Sequence, residues 1–491
     1  MAIFRQVFIA RQFMIPDQDV FNVANNMPDL IYALISGGAL ALALIPILSS
    51  TLAKDGRAAA WDIFSRVANL AFLVTGGLSL IIAVLAPYIV GWKFGIAPGL
   101  SLTQQRLVVE LMRLDLVATL IFSISGLIMA GLQANQHFLY PAMAPLLYNL
   151  GQIFGAVVLA PDHSIRLGPI QMPALGLGVH GLVYGVILGA MLHLLIQVPG
   201  LIKFQFHWTM QINLKNPKVI EALRLLGPRV ATMFFIQFIF LARDNLASYA
   251  GAGAISALTY GWMIMQVPET LIGTAIGTAL LPTLAEQAAR GDWATFQQTV
   301  QRAIQVLLAL TIPIAAILAF GLQPLMALAF GAKFQGDQMA VLMGVTQANL
   351  AGIIAHSLIE VAARSFYACK DARTPMLISG LNALIFTVIA VISLRPLGAP
   401  GIALANTLSY SIEAILLLYL LGRRLPARLI FENTLFRAVV AGLLGGGLVW
   451  FIQSGLPIHG HTTVLAIAGM AIGTAAALPF IWKEARLLIR L

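Results

Sequence analysis

Apolar residues in this chain run in blocks of twenty or more, separated by short polar stretches, and inside a block they occupy every helical face. A helix that is apolar all round is buried in protein or faces lipid. Crossing about 30 Å of hydrocarbon takes about 20 such residues. Thirteen blocks are long enough: 22–49, 67–92, 109–131, 140–160, 177–202, 222–249, 253–284, 303–329, 339–368, 375–396, 399–421, 434–454 and 462–482. Strands of a membrane barrel would instead alternate over about ten residues, so the pattern predicts an all-α bundle. The opening stretch MAIFRQVFIARQFM reads as the second half of one further span, which brings the expected total to fourteen transmembrane helices.

Composition agrees with this pattern. Of 491 residues, 59% are hydrophobic and only 10% are charged, against about 25% charged in soluble domains. One cysteine, Cys369, leaves no disulfide framework and no cysteine metal site. Arg5 and Arg11 interrupt the start, so no cleavable leader is legible there. The net charge is +10, and its distribution has a membrane explanation. With the N-terminus inside, eighteen Lys and Arg fall in cytoplasmic loops and five in the opposite loops. That asymmetry predicts cytoplasmic N- and C-termini and removes the need for a nucleic-acid partner.

The chain repeats itself. Pro46, Arg66, Phe94 and Gly95 recur as Pro282, Arg302, Phe330 and Gly331, all displaced by 236 positions. The intervening cytoplasmic text, PILSSTLAKDGRAAAWDIFSR, parallels PTLAEQAARGDWATFQQTVQR, and ANQHFLYP (134–141) parallels ACKDARTP (368–375). Two similar halves are therefore expected: a lobe over 1–212 (helices 1–6), a lobe over 213–425 (helices 7–12) and two further helices over 426–491. An even number of spans separates the copies, so the halves run parallel, an arrangement of transporters with the site between lobes.

Motifs for other chemistry are missing or weak. There is no phosphate-binding GxxxxGK[ST] loop and no legible nucleophile–base–acid set, so a transporter rather than an enzyme is expected, with no cofactor. Gly176-x-Gly178-x-x-Gly181 lacks a preceding strand and reads as helix packing. His459 and His461 lack a third ligand and read as a solvated loop, so no metal site is expected.

Ionisable residues inside spans carry more information, because a charge in hydrocarbon needs a partner or a water-filled cavity. Asp19 and Asp29 stand at the start of span two, with Asn22, Asn25 and Asn26 between them. Glu110, Arg113 and Asp115, near the outer end of span four, either snorkel to the surface or line a cavity. Arg229 is expected at the inner headgroups, Glu360 and Arg364 form an i,i+4 pair, and Glu413 stands alone. Arg5, Arg243, Asp244 and Glu269 are expected to line a cavity. Adjacent helix positions point about 100° apart, so Arg243 and Asp244 are expected to meet different partners rather than each other. Pro28 and Pro268 occupy equivalent places in the two halves and should kink spans two and eight. Gly273 and Gly277 allow close helix approach. These four are the candidate gating positions.

Several segments carry a family resemblance. DVFNVANNMPDLIYALISGGALALALIPILS (19–49), GLQANQHFLYPAMAPLLYNLGQIFG (131–155), LGPRVATMFFIQFIFLARDNLAS (226–248), LTYGWMIMQVPETLIGTAIGTALLPTLAE (258–286) and RSFYACKDARTP (364–375) resemble the MurJ/MviN lipid II flippases. The resemblance spans residue 1 to about 425 and rests on the segments in combination. It implies fourteen helices in two lobes of the multidrug/oligosaccharidyl-lipid/polysaccharide exporter superfamily. It also implies alternating access, residence in the bacterial inner membrane and a role in peptidoglycan biosynthesis. The implied cargo is an undecaprenyl-diphosphate-linked peptidoglycan precursor moved to the outer leaflet, and the implied drive is a coupling ion or the membrane potential.

Carried over residue by residue, Arg5 lies at the family's first-helix arginine, in RxxxxAR, and Asp19 at its acid before FxVA, while Gln6 replaces an acid. Two family arginines fall on Tyr32 and Met263, and the pattern DRxLAS reads with Arg243 and Asp244 in reversed order. The candidate substrate-binding set is Arg5, Asp19, Asn22, Asn26, Tyr32, Arg243, Asp244, Met263, Gln266 and Glu269. The expected partners are a polyprenyl-diphosphate-linked lipid and membrane lipids. An exporter of another polyprenyl-linked glycan or a drug, and a paralogue that no longer transports, are the alternatives.

Overall fold

The computed structural model describes residues 2–36, 39–167, 170–211, 217–331, 333–455 and 462–488. Lys215, His459, His461 and the side chain of Arg229 lie outside the described residues. The fold is helical, as the pattern predicts. Eleven of the described helices are long and apolar enough to cross a membrane.

The first two spans are assembled from short pieces: α1 (Ala2–Gln12), α2 (Ile15–Ala24), α3 (Asn26–Ile31), a π-helical turn (Tyr32–Ser36) and α4 (Ala39–Lys54). Block 22–49 is thus broken where polar residues collect. Asn25 ends α2, and asparagine competes with helical backbone bonds. Single long helices follow: α5 (Gly56–Gly91) and α6 (Leu102–Ala134), then α7 (Leu139–Phe154), which passes into a second π turn (Gly155–Leu159). Gly56, at φ +84, supplies the left-handed residue that lets α5 start immediately after α4. A hairpin that the apolar pattern did not foresee, β1 (Ile165–Leu167) against antiparallel β2 (Ile170–Met172), fills the connection to α8 (Gly178–Leu195) and α9 (Val198–Lys203). Then come α10 (Pro217–Ala247), α11 (Ala254–Glu269), a third π turn (Thr270–Thr274), α12 (Ala275–Arg290), α13 (Trp293–Gly321), α14 (Gln323–Phe330) and α15 (Asp337–Ala368).

The run α16 (Arg373–Gly422) has 50 residues. A straight helix of that length would reach about 75 Å, more than twice the hydrocarbon. Gly398, at φ +60, breaks it into two spans. The last two helices are α17 (Glu432–Gly455) and α18 (Thr462–Leu488).

Packing divides the chain into two compact units, Met1–Ala252 and Gly253–Leu491. The boundary expected from the sequence, 212/213, lies one helix earlier. The helix between the two boundaries, α10, packs with α3, α4 and α5 of the first unit.

In the first unit, Trp61 and Phe64 of α5 pack edge-on against Phe206, and the Trp61 indole donates to the Phe204 carbonyl at 2.9 Å. The faces of α7 and α8 meet through glycine. A Cβ on Gly155 would lie 2.6 Å from the Cα of Gly185, and one on Gly151 would lie 2.4 Å from the Cα of Gly189. Gly181, from the GxGxxG run, abuts Ala160 in the same way. Van der Waals packing replaces the hydrophobic effect inside lipid, so small residues allow this approach.

In the second unit, α13 packs with α17 and α18. Arg437 of α17 pairs with buried Glu484 of α18, which also accepts from Thr434 at 3.3 Å. Between α15 and α16, the Asp371 carboxylate takes the backbone N–H groups of Arg373 and Thr374, each at 3.0 Å, and pairs with Arg424 at 2.8 Å.

Two outcomes follow. Gly185→Val should force α7 and α8 apart and destabilise the protein by about 1–3 kcal/mol, read as a lower Tm in detergent. Burial works against the Asp371 carboxylate, but hydrogen bonds from Thr374 and Arg424 outweigh it and hold its pKa below the ordinary 3.8. A depressed folded pKa stabilises above the ordinary value, and the contribution is lost as pH falls through the folded one. The Tm difference between wild type and Asp371→Asn should therefore be full near neutrality and close as pH drops below 3.8.

Candidate functional site

In the first unit, Arg5 extends from α1 to α7, where its guanidinium donates to the Gln152 carbonyl oxygen. Arg5 is half-buried and Gln152 is buried. Arg5 also lies within electrostatic reach of Asp29 on α3 and Tyr148 on α7. Tyr32 opens the first π turn, and its ring sits 5.2 Å from that of Phe122, which in turn meets Tyr148 at 4.9 Å. Asp115 lies seven residues before Phe122 on α6, hence on the same helical face, and it interacts electrostatically with Asp29 and Tyr148. One polar and aromatic group thus draws on α1, α3, the π turn, α6 and α7.

The alternatives left open for span four resolve separately. Glu110 is exposed and meets His180 at 3.1 Å, and Arg113 is exposed and donates to the Ala83 carbonyl at 2.8 Å. Asp115 does not snorkel. It is 4% exposed, and its Oδ1 has no hydrogen-bond partner among the described residues. Its place on the Phe122 face turns it inward.

A second group joins α3 to α10. Asn26 donates to Asp244 Oδ2 at 2.7 Å, and Arg243 Nε donates to Asp244 Oδ1 at 2.7 Å, with the Phe240 ring 5.0 Å from the guanidinium. The expectation that Arg243 and Asp244 avoid each other is therefore corrected. Their Cα–Cβ bonds diverge, but the arginine chain is long enough to fold across to its neighbour. Asp19 is 1% exposed on α2, Asn22 is half-buried there, and Pro28 is buried in α3.

Deeper in the first unit, Ser125 of α6 bonds His193 Nδ1 of α8 at 2.6 Å, while Gln197 donates to Ser125 Oγ at 2.8 Å. The serine oxygen accepts from the amide, so its own proton goes to Nδ1, and the ring hydrogen is assigned to Nε2.

In the second unit, Glu269 ends α11, immediately after Pro268 and before the third π turn. The Thr274 hydroxyl donates to its Oε1 at 3.2 Å. Gly273 lies against Ser357 of α15, and Gly277 lies against the Arg364 guanidinium. Arg364 pairs with Glu360, as the spacing predicts, and donates to Thr278 at 3.1 Å. Met263 is half-buried and Gln266 is exposed, one turn apart on α11. Glu413, isolated in sequence, accepts from Ser379 and Asn382 at 2.7 Å each.

Of the expected substrate residues, the structure groups Arg5 with Tyr32, and Asn26 with Arg243 and Asp244. Glu269 belongs with Gly273 and Gly277. Gln152, Tyr148, Phe122 and the Ser125–His193–Gln197 set were missed. The available signal was an amide or imidazole within a predominantly apolar span, such as Gln152 in block 140–160 and His193 and Gln197 in block 177–202.

Comparisons agree with this architecture. The family model described as lipid II flippase MurJ matches residues 13–468. A Burkholderia cenocepacia protein named lipid II flippase MurJ is 28% identical over 429 residues, covering 86% of this chain and 80% of its own. A Rhizobium meliloti protein named probable lipid II flippase MurJ is 27% identical over 478 residues, covering 95% and 86%. In fold, the chain is similar to a solved lipid II flippase MurJ in an inward closed conformation, with TM-score 0.81, 19% identity and coverage of 99% and 96%. It is also similar to an inward-facing multidrug resistance MATE family transporter, with TM-score 0.71, 13% identity and coverage of 86% and 93%.

Asp244→Ala would strand a half-buried guanidinium. It should destabilise the protein by about 3–5 kcal/mol, whereas Arg243→Met with Asp244→Leu should recover most of the loss, measured as Tm in detergent.

Proposed function

Starting from the premise that the chain belongs to the lipid II flippase MurJ family, we propose that it moves a polyprenyl-diphosphate-linked peptidoglycan precursor from the inner to the outer leaflet of the bacterial inner membrane. A diphosphate head cannot cross hydrocarbon unaided, because each charge taken there needs a partner. The protein alternates access between its two faces while the lipid tail stays in the bilayer. Its termini are cytoplasmic, and a coupling ion or the membrane potential drives the cycle.

The observation that carries this reading is Arg5: a guanidinium on an apolar helix, oriented from α7 by the neutral amide of Gln152. The Gln152 amide sets the plane of the guanidinium fork, and such a fork binds phosphate oxygens bidentately. Tyr148 and Tyr32 supply hydroxyl groups beside it. Asn22, Asn26, Asp19, Arg243, Asp244, Met263 and Gln266 complete the proposed contact set, and Pro28, Pro268, Gly273 and Gly277 serve the gate. The lobes that move are those of the repeat, 1–212 and 213–425.

Tyr32 and Met263, standing where the family pattern has arginine, favour one second reading: a polyprenyl-linked cargo carrying less negative charge.

Complementation of a flippase-depleted bacterium, paired with translocation of labelled lipid in vesicles, tests both readings. Wild type should restore growth and flip the diphosphate lipid. Arg5→Ala should weaken transport about tenfold to a hundredfold, and Arg5→Lys should retain an intermediate level. Rescue indifferent to Arg5 would remove the site. Transport of a monophosphate lipid in preference to the diphosphate would favour the second reading.

A further inference from the structure

We propose that Tyr32, Phe122 and Tyr148 form an aromatic platform that takes an uncharged sugar ring of the cargo's head, with Asp115 accepting from its hydroxyl or amide groups. The inference rests on the proposed flippase reading and names the part of the head that this chain selects. Every residue of the platform belongs to the first unit.

The π turn, α6 and α7 each supply one ring. Phe122 is the hub, 5.2 Å from Tyr32 at an interplanar angle of 58° and 4.9 Å from Tyr148 at 84°. All three rings are half-buried, and Asp29, within electrostatic reach of both tyrosines, is exposed. The group therefore keeps an accessible surface. On another side of the hub, the His193 imidazole stands 5.3 Å from Phe122 at 71°. His193 is held in turn by Ser125 at 2.6 Å, and Ser125 by Gln197 at 2.8 Å. This buried polar set thereby has a use. It locks the imidazole, the imidazole limits the tilt of Phe122, and the ring angles are set before a ligand arrives, which lowers the cost of binding.

Asp115 provides the independent pointer. It is 4% exposed, and its Oδ1 has no hydrogen-bond partner among the described residues. It lies two turns before Phe122 on the same face of α6, within electrostatic reach of Tyr148. A buried acceptor without a donor is unfavourable, and a carboxylate oxygen only accepts. A ligand rich in hydroxyl and amide donors answers it.

Charge selects among occupants. Asp29 and Asp115 beside the rings repel phosphate, so the diphosphate stays at Arg5. The Arg5 guanidinium, within reach of Tyr148, opposes an organic cation, which aromatic faces otherwise attract. A sugar ring meets neither objection. It is uncharged, its C–H face packs on the electron-rich face of an aromatic ring, and its rim carries donors. Tyr32 stands where the family pattern has arginine, so a phosphate contact has been exchanged for a ring surface. The first sugar is bonded directly to the diphosphate, so a platform in reach of Arg5 receives it while the fork holds the phosphate.

The experiment uses full-length protein in nanodiscs and measures displacement of radiolabelled undecaprenyl-diphosphate-N-acetylglucosamine by the same lipid and by sugar-free undecaprenyl diphosphate. Wild type should bind the glycosylated lipid about tenfold more tightly. Tyr32→Ala and Phe122→Leu should each weaken the glycosylated lipid more than the sugar-free one and bring the two within about twofold. Tyr32→Phe keeps the ring and should keep most of the preference. Arg5→Ala should weaken both lipids and leave their ratio unchanged. Equal binding of the two lipids by wild type, binding of neither, or an equal loss of both in Tyr32→Ala overturns the proposal. So does competition by tetraphenylphosphonium that Tyr32→Ala relieves, which would make the platform a cation site. Failure of wild type to translocate either lipid, with the sugar preference intact, would count against the flippase reading and leave the platform standing. Translocation without any sugar preference would do the reverse.

Discussion

A polar side chain on a helix surrounded by hydrocarbon has no water to bond, so it must find its partner within the protein. That constraint organises both units. Arg243 is answered by Asp244, which is held in turn by Asn26 from another helix. Arg437 is answered by Glu484 across α17 and α18, and Glu413 by Ser379 and Asn382. Each polar group therefore ties together segments that are far apart in sequence, and in an all-apolar bundle these ties specify which helix faces meet.

Close packing then decides how tight those ties are. The glycines of α7 and α8 bring two backbones into contact, and Gly277 does the same for the Arg364 guanidinium. In both units a π turn follows a proline, Tyr32–Ser36 after Pro28 and Thr270–Thr274 after Pro268. Proline removes one helical hydrogen bond, and a π turn displaces the side chains beyond it. The same local irregularity is used twice with different side chains. In the first unit it presents Tyr32 beside the Arg5 group. In the second it gathers hydroxyls around Glu269.

The two units carry different polar chemistry: the first has a guanidinium oriented by an amide, and the second has a carboxylate that accepts from a threonine hydroxyl. Under the proposed function, Tyr32 and Met263 stand where the resemblance implies arginine, so more of the anion binding falls to Arg5.

Block length is a property of one dimension, so the helical class and the presence of many apolar spans were legible in the sequence. So was the Glu360–Arg364 pair, because i,i+4 neighbours meet on any helix. The segmentation of the first two spans, the break at Gly398 and the short hairpin were not legible, since hydropathy does not register backbone dihedrals. The partners of Arg5, Asp115 and Glu413 were invisible for a different reason. Gln152 lies 147 residues from Arg5, and no local pattern encodes which of many apolar faces will bring two such positions together. Arg243 and Asp244 were misjudged because helical geometry fixes the Cβ direction but not the reach of a long side chain. The chain alone settled that charges would stand inside the membrane; three-dimensional packing decided which of them are matched, because only burial and cross-helix distance determine what a charge sees.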